Sequence, residues 1–445
     1  VQVHVHRRRE LAERMRRLGG GVAVLATAPE VIRNRDAHYP YRSDSYFHYL
    51  TGFPEPEAVL VLIANADEMR AILFCRDKNE EREIWDGFRF GPQAARERFG
   101  FDEACSIQEL DTRMTQLLGN QPALFHPLGA RADTDAAARR WLEAVRAQAR
   151  AGVAAPHTVF DLHALLDDMR LCKDAHELDI MQRAGQISAG AHCRAMRACR
   201  PGLTEYQIEA ELLYEFRRHG SPAPAYGSIV AGGANACVLH YRDNTAELRD
   251  GDLLLIDAGC ELDGYASDIT RTFPVNGRFS GPQRTLYDIV LASQAAAIEA
   301  TRPGQRFNDP HDAATRVLAQ GMIDCGLLQG SLDGVLESGS YRRFYMHRTS
   351  HWLGMDVHDC GEYREPGEAA TGSEKPWRIL RPGMVLTIEP GLYVRAAADL
   401  PEAFHDIGIR IEDDAVVTEA GCRLLTRDVP VAADEIEALM RDARA

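Results

Sequence analysis

The stretch DGDLLLIDAGCELDGYASDITRTFPV constrains the fold more than any other part of the chain. An apolar run ends in Asp257, Asp263-Gly264 is a tight-turn pair, and a second strand-like run carries Asp268. Apolar runs flanking Asp-Gly signal a β-hairpin. A two-residue loop at Asp263-Gly264 pairs Asp257 with Thr270 and leaves Asp268 diagonal to it on the same face. A turn centred one residue earlier sets the two aspartates directly opposite. In either register two carboxylates share one face of a largely apolar hairpin, where they repel unless a cation lies between them or one is protonated. Taken alone, the hairpin is explained equally well as a solvent-exposed turn with incidental acids.

A second pair of strands adds two more acids. In GMVLTIEPGLYV, period-two alternation puts Val385, Thr387 and Glu389 on one face and Met384, Leu386 and Ile388 on the other. In GIRIEDDAVV, Arg410 and Glu412 likewise share a face. A glutamate at the end of one apolar strand is ordinarily a satisfied or exposed acid. Four acids so placed, together with His347, His351 and His358 of MHRTSHWLGMDVHD, compose a site of oxygen ligands with one imidazole. Such a set suits Mn²⁺, Co²⁺ or another borderline-hard divalent ion better than a structural zinc. A single histidine is more often a core residue, a reading that three within one short segment weaken without removing.

Composition narrows the classes. A net charge of −15 repels phosphate backbones and anionic lipid, so nucleic acid and membrane surfaces are not expected partners. The only basic block, Arg7-Arg8-Arg9, opens RRRELAERMRRL, where Leu11, Met15 and Leu18 recur at helical spacing. That pattern predicts a surface helix with one apolar stripe and the arginines on its solvated face. No apolar stretch approaches the roughly 20 residues that span a bilayer, and no secretory leader is evident. Ten cysteines run from Cys75 to Cys422 without a C-x-x-C pair, as expected of reduced, mostly buried thiols in a cytoplasmic protein.

The first part of the chain alternates strand-like runs (GVAVLATA, AVLVLIA, AILFC) with helical stretches (AARERF, DAAARRWLEAVRAQARA), the signature of an α/β domain. Beyond Pro156 long helical periodicity takes over, and the expected domains are residues 1–170 and 171–445. The second holds helices to about residue 219, short strands, the helical block TLYDIVLASQAAAIEAT and turn-rich strands, an α+β pattern.

These residues resemble the aminopeptidase P branch of the pita-bread metallopeptidases, a family that also includes prolidase, methionine aminopeptidase and creatinase. The similarity covers nearly the whole chain through YPYRSDSYFHYLTGFPEPEAVLVL, LHYRDN, LIDAGCELDGYASDITRTFPVNG, HRTSHWLGMDVHDCG, VLTIEPGLY and GIRIEDD. It implies a smaller amino-terminal α/β domain, serving substrate access and oligomerisation, followed by a carboxy-terminal pita-bread catalytic domain. It implies hydrolysis of the amino-terminal Xaa-Pro bond of peptides by water activated at two divalent ions, most consistent with Mn²⁺ and with Co²⁺ or Zn²⁺ as alternatives. Carried over residue by residue, Asp257, Asp268, His351, Glu389 and Glu412 would be the ligands. Asp268 and Glu412 would bridge both ions, Asp257 would serve one, and His351 with Glu389 the other. Glu389 would also move the proton, with His240, His347 and His358 lining the cleft and Arg410 holding a carboxylate or the substrate carbonyl. Tyr393 and Trp85 would shape the proline pocket or its rim, and Asp36 could reach a neighbouring subunit of a dimer or tetramer. Prolidase shares all five ligands and is the alternative within the enzymes. A catalytically silent peptide-binding protein on the same scaffold is the alternative outside them.

Overall fold

The computed structural model describes residues 1–367 and 374–443. The chain forms two compact units, Val1–Met169 and Arg170–Ala445.

In the first unit the three apolar runs become the strands Gly21–Ala26, Val59–Ala64 and Met69–Cys75, paired antiparallel in a six-stranded sheet. Glu103–Ser106 joins the outer side of Met69–Cys75 in parallel, while Ala123–His126 and then Thr158–Asp161 extend the other side in parallel. One face presents Val22, Val24, Val61, Ile63, Ile72 and Phe74 to Met114 and to Ala138, Trp141 and Val145 of the helix Ala132–Arg146. The last three recur at helical spacing and supply the apolar stripe that a sheet-covering helix needs.

The basic helix, Gln2–Arg17, departs from expectation. Leu11 and Met15 are buried as the periodicity predicts, but so are Arg7 and Arg8, while Leu18 is exposed at the carboxyl cap. Arg8 donates to Leu50 O at 2.8 Å and to Gly100 O at 2.5 Å, and Arg7 donates to Tyr49 O at 3.3 Å. These carbonyls lie at the ends of the helices Ser45–Thr51 and Gly91–Phe99, where backbone acceptors have no intrahelical partner and the dipole favours a cation. Only Arg9 of the run keeps a solvated position.

The second unit contains the expected helices Ala175–Ala198, Glu205–Arg218 and Gly281–Ala300, and also Asp309–Asp324 and Ala433–Asp442. Capping boxes at Asp174/Glu177 and Ser280/Gln283 fix where two of them start. The strands are short. Leu253–Asp257 lies between Ile229–Gly232 and Thr270–Pro274, Asp413–Val417 between Val385–Ile388 and Cys422–Leu424, and Gly391–Val394 pairs with Ile407–Arg410.

The hairpin takes the first of the two registers: Leu262 pairs with Tyr265 and Asp257 with Thr270. Asp263 and Gly264 both have positive φ, 48° and 81°, the backbone that a two-residue loop of this kind demands and that Asp-Gly tolerates. Regular strand is interrupted between Asp257 and Cys260 and between Ala266 and Thr270, where a Cβ on Gly259 would sit 1.7 Å from Ser267 O, and Asp268 lies in that interval. Among the described residues no cysteine is disulfide-bonded and no helix is long and apolar enough to cross a membrane.

Candidate metal centre

Strand ends bring the acids together. Asp257 closes Leu253–Asp257, Asp268 precedes Thr270–Pro274, Glu389 follows Val385–Ile388, and Glu412 lies just past Ile407–Arg410. His351 is held against the third strand by two bonds, its N–H to Thr387 Oγ1 at 3.1 Å and the Thr387 N–H to its carbonyl at 3.0 Å. The Glu389 N–H donates to Thr349 O at 2.8 Å, and the Glu412 N–H to Thr270 O at 3.0 Å.

Donor atoms of Asp268, His351 and Glu412 all lie within 4.8 Å of one another. His351 Nε2 stands 3.4 Å from Asp268 Oδ2 and 3.6 Å from Glu389 Oε1. The Tyr226 hydroxyl contacts Asp257 Oδ1 at 2.6 Å and also Asp268 Oδ1, tying the two hairpin aspartates together. Thr270 donates to Glu412 Oε2 at 2.6 Å, and the Asp268 N–H to Asp414 Oδ2 at 3.1 Å.

The electrostatics are those of a cluster short of positive charge. Burial, then the charges of Asp268 and Glu389, push Glu412 well above the usual carboxylate range. Burial lifts Glu389 to about 7 against the pull of His351 and Arg410, and burial likewise raises Asp268. Desolvation would lower His351, yet Asp268 and Glu389 hold it up to about 9. The His351 Nδ1–H donates to Trp352 O at 2.9 Å, which fixes Nε2 as the atom facing the acids. Either protons or a cation must compensate carboxylates this close. The donor set fits a divalent ion: several carboxylate oxygens and one imidazole nitrogen oriented by a backbone carbonyl.

The other predicted residues divide. Arg410 is buried and donates to Asp257 Oδ2 at 2.6 Å, Tyr393 Oη at 2.9 Å and Thr270 Oγ1 at 3.1 Å. Tyr393 is buried as well, its hydroxyl also 2.9 Å from His347 Nε2. Burial and then Arg410 lower His347 to about 3, keeping it neutral. His358 is exposed with its ring 4.3 Å from that of His351, and burial with the His351 charge lowers it. His240 is exposed on the loop after Gly233–Cys237 and close enough for its charge to act on His347 and His358. Trp85 and Asp36 belong to the first unit, Trp85 on the short helix Glu80–Asp86 with 83% of its surface exposed. Sequence reasoning missed Tyr226, Asp414 and Thr270. Only Thr270 carried a signal, as the hairpin partner of Asp257.

Two family profiles match: Metallopeptidase family M24 over residues 179–419, and Aminopeptidase P, N-terminal domain, over residues 4–125. The chain is 46% identical over 439 residues to a protein of Escherichia coli (strain K12) named Xaa-Pro aminopeptidase, covering 98% of this chain and 97% of that one. It is 32% identical to the human protein named Xaa-Pro aminopeptidase 3, covering 94% and 81%. A solved aminopeptidase of Pseudomonas aeruginosa superposes with a TM-score of 0.95 at 48% identity over 99% of this chain and 98% of that one. Zinc-substituted Escherichia coli aminopeptidase P, solved in complex with product, superposes with a TM-score of 0.95 at 46% identity, over 100% and 99%. The acid-and-imidazole cluster thus lies within the matched catalytic segment, and the chain belongs to metallopeptidase family M24, joining an aminopeptidase P amino-terminal domain to a pita-bread metallopeptidase domain.

Proposed function

We propose that this metallopeptidase is an Xaa-Pro aminopeptidase, removing the first residue of peptides whose second residue is proline. The observation that carries this reading is the convergence of Asp268, His351 and Glu412, with Glu389 beside them, in a chain similar over almost its full length to proteins of that name. Asp257, Asp268, His351, Glu389 and Glu412 would hold two divalent ions, and manganese suits the ligand hardness. When bound, the ions supply Lewis acidity toward the scissile carbonyl and lower the pKa of an attacking water.

The chain's own residues do the rest. Glu389 accepts the proton of the attacking water at a carboxylate oxygen and returns it to the leaving proline nitrogen, from its place 3.6 Å from His351 Nε2. His358, exposed beside His351, donates a hydrogen bond to the carbonyl oxygen as negative charge develops there. Arg410 orients Asp257, and through the Tyr393 hydroxyl it is linked to His347, so one buried guanidinium connects these three side chains. Proline lacks an amide N–H, so a site shaped around its ring need offer that position no acceptor. The amino-terminal unit, residues 1–170, serves access and assembly into a dimer or tetramer. Ten thiols outside any disulfide support a reducing, cytoplasmic setting.

Chelated protein assayed on an Xaa-Pro-Yaa tripeptide and on the matching Xaa-Pro dipeptide, with and without added Mn²⁺, tests the reading. Metal-dependent cleavage of the tripeptide is expected. Cleavage of the dipeptide alone would make the protein a prolidase, and metal binding without cleavage of either would make it a silent binder.

A further inference from the structure

The turn that carries both His351 and His358 ends in a buried charge cluster for which the proposed mechanism has no use. Asp359 is buried, and its Oδ1 accepts from Arg170 Nη2 at 2.7 Å while its Oδ2 accepts from Lys173 Nζ at 2.8 Å. Both cations are themselves buried, and Arg170 also reaches Asp356 at 2.8 Å. Burying such cations costs free energy that their attraction to the carboxylate offsets only where geometry and hydrogen bonding are good.

What they fix is the Trp352 carbonyl. It accepts two hydrogen bonds, one from His351 Nδ1 and one from the Asp359 N–H, both at 2.9 Å. The first orients the His351 ring so that Nε2 faces Asp268 and Glu389. The second closes the turn and sets where His358, one residue earlier, can stand. The closure leaves no spare room, since a Cβ on Gly354 would lie 2.2 Å from Asp359 Oδ2 and 2.8 Å from Lys173 Cε. The turn is also pinned from outside, by Ala266 N–H to Gly354 O at 2.8 Å and Leu353 N–H to Val385 O at 3.1 Å.

We propose that Asp359, clamped by Arg170 and Lys173, is a positioning residue that sets both imidazoles of this turn, His351 toward the acids and His358 toward the substrate. The His358 half rests on the function proposed above, whereas the His351 half rests on the metal centre alone.

The test is a double-mutant cycle in the full chain loaded with Mn²⁺, using D359N, H358A and the double variant on an alanyl-prolyl-alanine substrate. Asp359 acting through His358 predicts that D359N lowers kcat by roughly tenfold or more with little change in KM, yet costs under about twofold when H358A is already present. Manganese affinity, read by competition with a chelator, falls about tenfold in D359N through the released His351. Equal fold-losses in the two backgrounds overturn the His358 half, unchanged manganese affinity in D359N overturns the His351 half, and wild-type kcat together with wild-type affinity overturns the whole. An H358A protein with full kcat refutes the role given to His358; manganese affinity in D359N then decides the clamp, weakened binding supporting it and unchanged binding overturning it. If D359N does not fold, K173M, which keeps the Arg170 pair, is carried through the same cycle with the same criteria.

Discussion

Two buried charge clusters, one in each unit, are met in opposite ways. In the first, Arg7 and Arg8 are enclosed, and each meets backbone carbonyls left open at helix ends. In the second, Asp268 and Glu412 are enclosed facing each other's charge, with Glu389 part of the same cluster, and the His351 imidazole and the Arg410 guanidinium offset it so incompletely that Glu412 stays well above the usual carboxylate range. Charge that the chain satisfies by itself is architecture. Charge that it gathers and leaves short of compensation is prepared for something that binds.

Four measurements break or sharpen that contrast. The largest effect falls on chemistry: E389Q should lower kcat/KM on an Xaa-Pro-Yaa tripeptide by about a thousandfold, the range for loss of a positioned proton acceptor, while the protein stays folded. A fully active E389Q with bound metal contradicts the role of Glu389. Next comes the metal. D268N should weaken manganese affinity by about a hundredfold or more, measured by chelator competition, and leave the metal-free Tm unchanged or higher because one repelling carboxylate is gone. A metal-free D268N that melts well below wild type would make Asp268 architecture instead.

The arginine side of the contrast predicts the reverse pattern. R8M should cost about 2 kcal/mol in denaturant unfolding by leaving the Leu50 and Gly100 carbonyls unpaired, with kcat and manganese affinity of the folded protein unchanged. The smallest and most diagnostic effect is the pH dependence of the metal-free protein. Glu389, raised from 4.5 to about 7, and His351, raised from 6.5 to about 9, both bind protons more tightly folded than unfolded. Their contribution is therefore full below the unfolded values and lost as pH rises through the folded ones, so their share of the metal-free Tm, read as wild type minus an E389Q/H351Q double variant, should fall between about pH 5 and pH 9, while buried histidines such as His347 push the total the other way. Manganese competes with those protons, so the Tm gained on adding it should grow over the same interval. A difference between wild type and that double variant that grows with pH across the interval contradicts the arrangement.

The parts of this legible in sequence were those set by local chemistry. Asp263-Gly264 specified a two-residue turn, and the turn specified that Asp257 faces Thr270. Period-two alternation placed Glu389 and Glu412 at strand ends for the same reason. Tyr226 was invisible because nothing around it marks a site; folding alone brings it to Asp257, 31 residues away, and Asp268, 42 away. The burial of Arg8 was misread because its charge is expected to be solvated, although it shares the helix face of Leu11 and Met15, and only tertiary structure delivers carbonyls from 42 and 92 residues along the chain. The Asp359 clamp was hidden likewise: its cations lie 189 and 186 residues before it.

The central claim is that the gathered acids and imidazole exist to hold divalent ions that the activity requires. Titrating Mn²⁺ into chelated protein while following bound metal and tripeptide cleavage together tests it most directly. Cleavage should be absent at the start, rise with binding and level off near two ions per chain. Full cleavage by the metal-free protein, or unchanged binding when Asp268, His351 and Glu412 are replaced together, would contradict it.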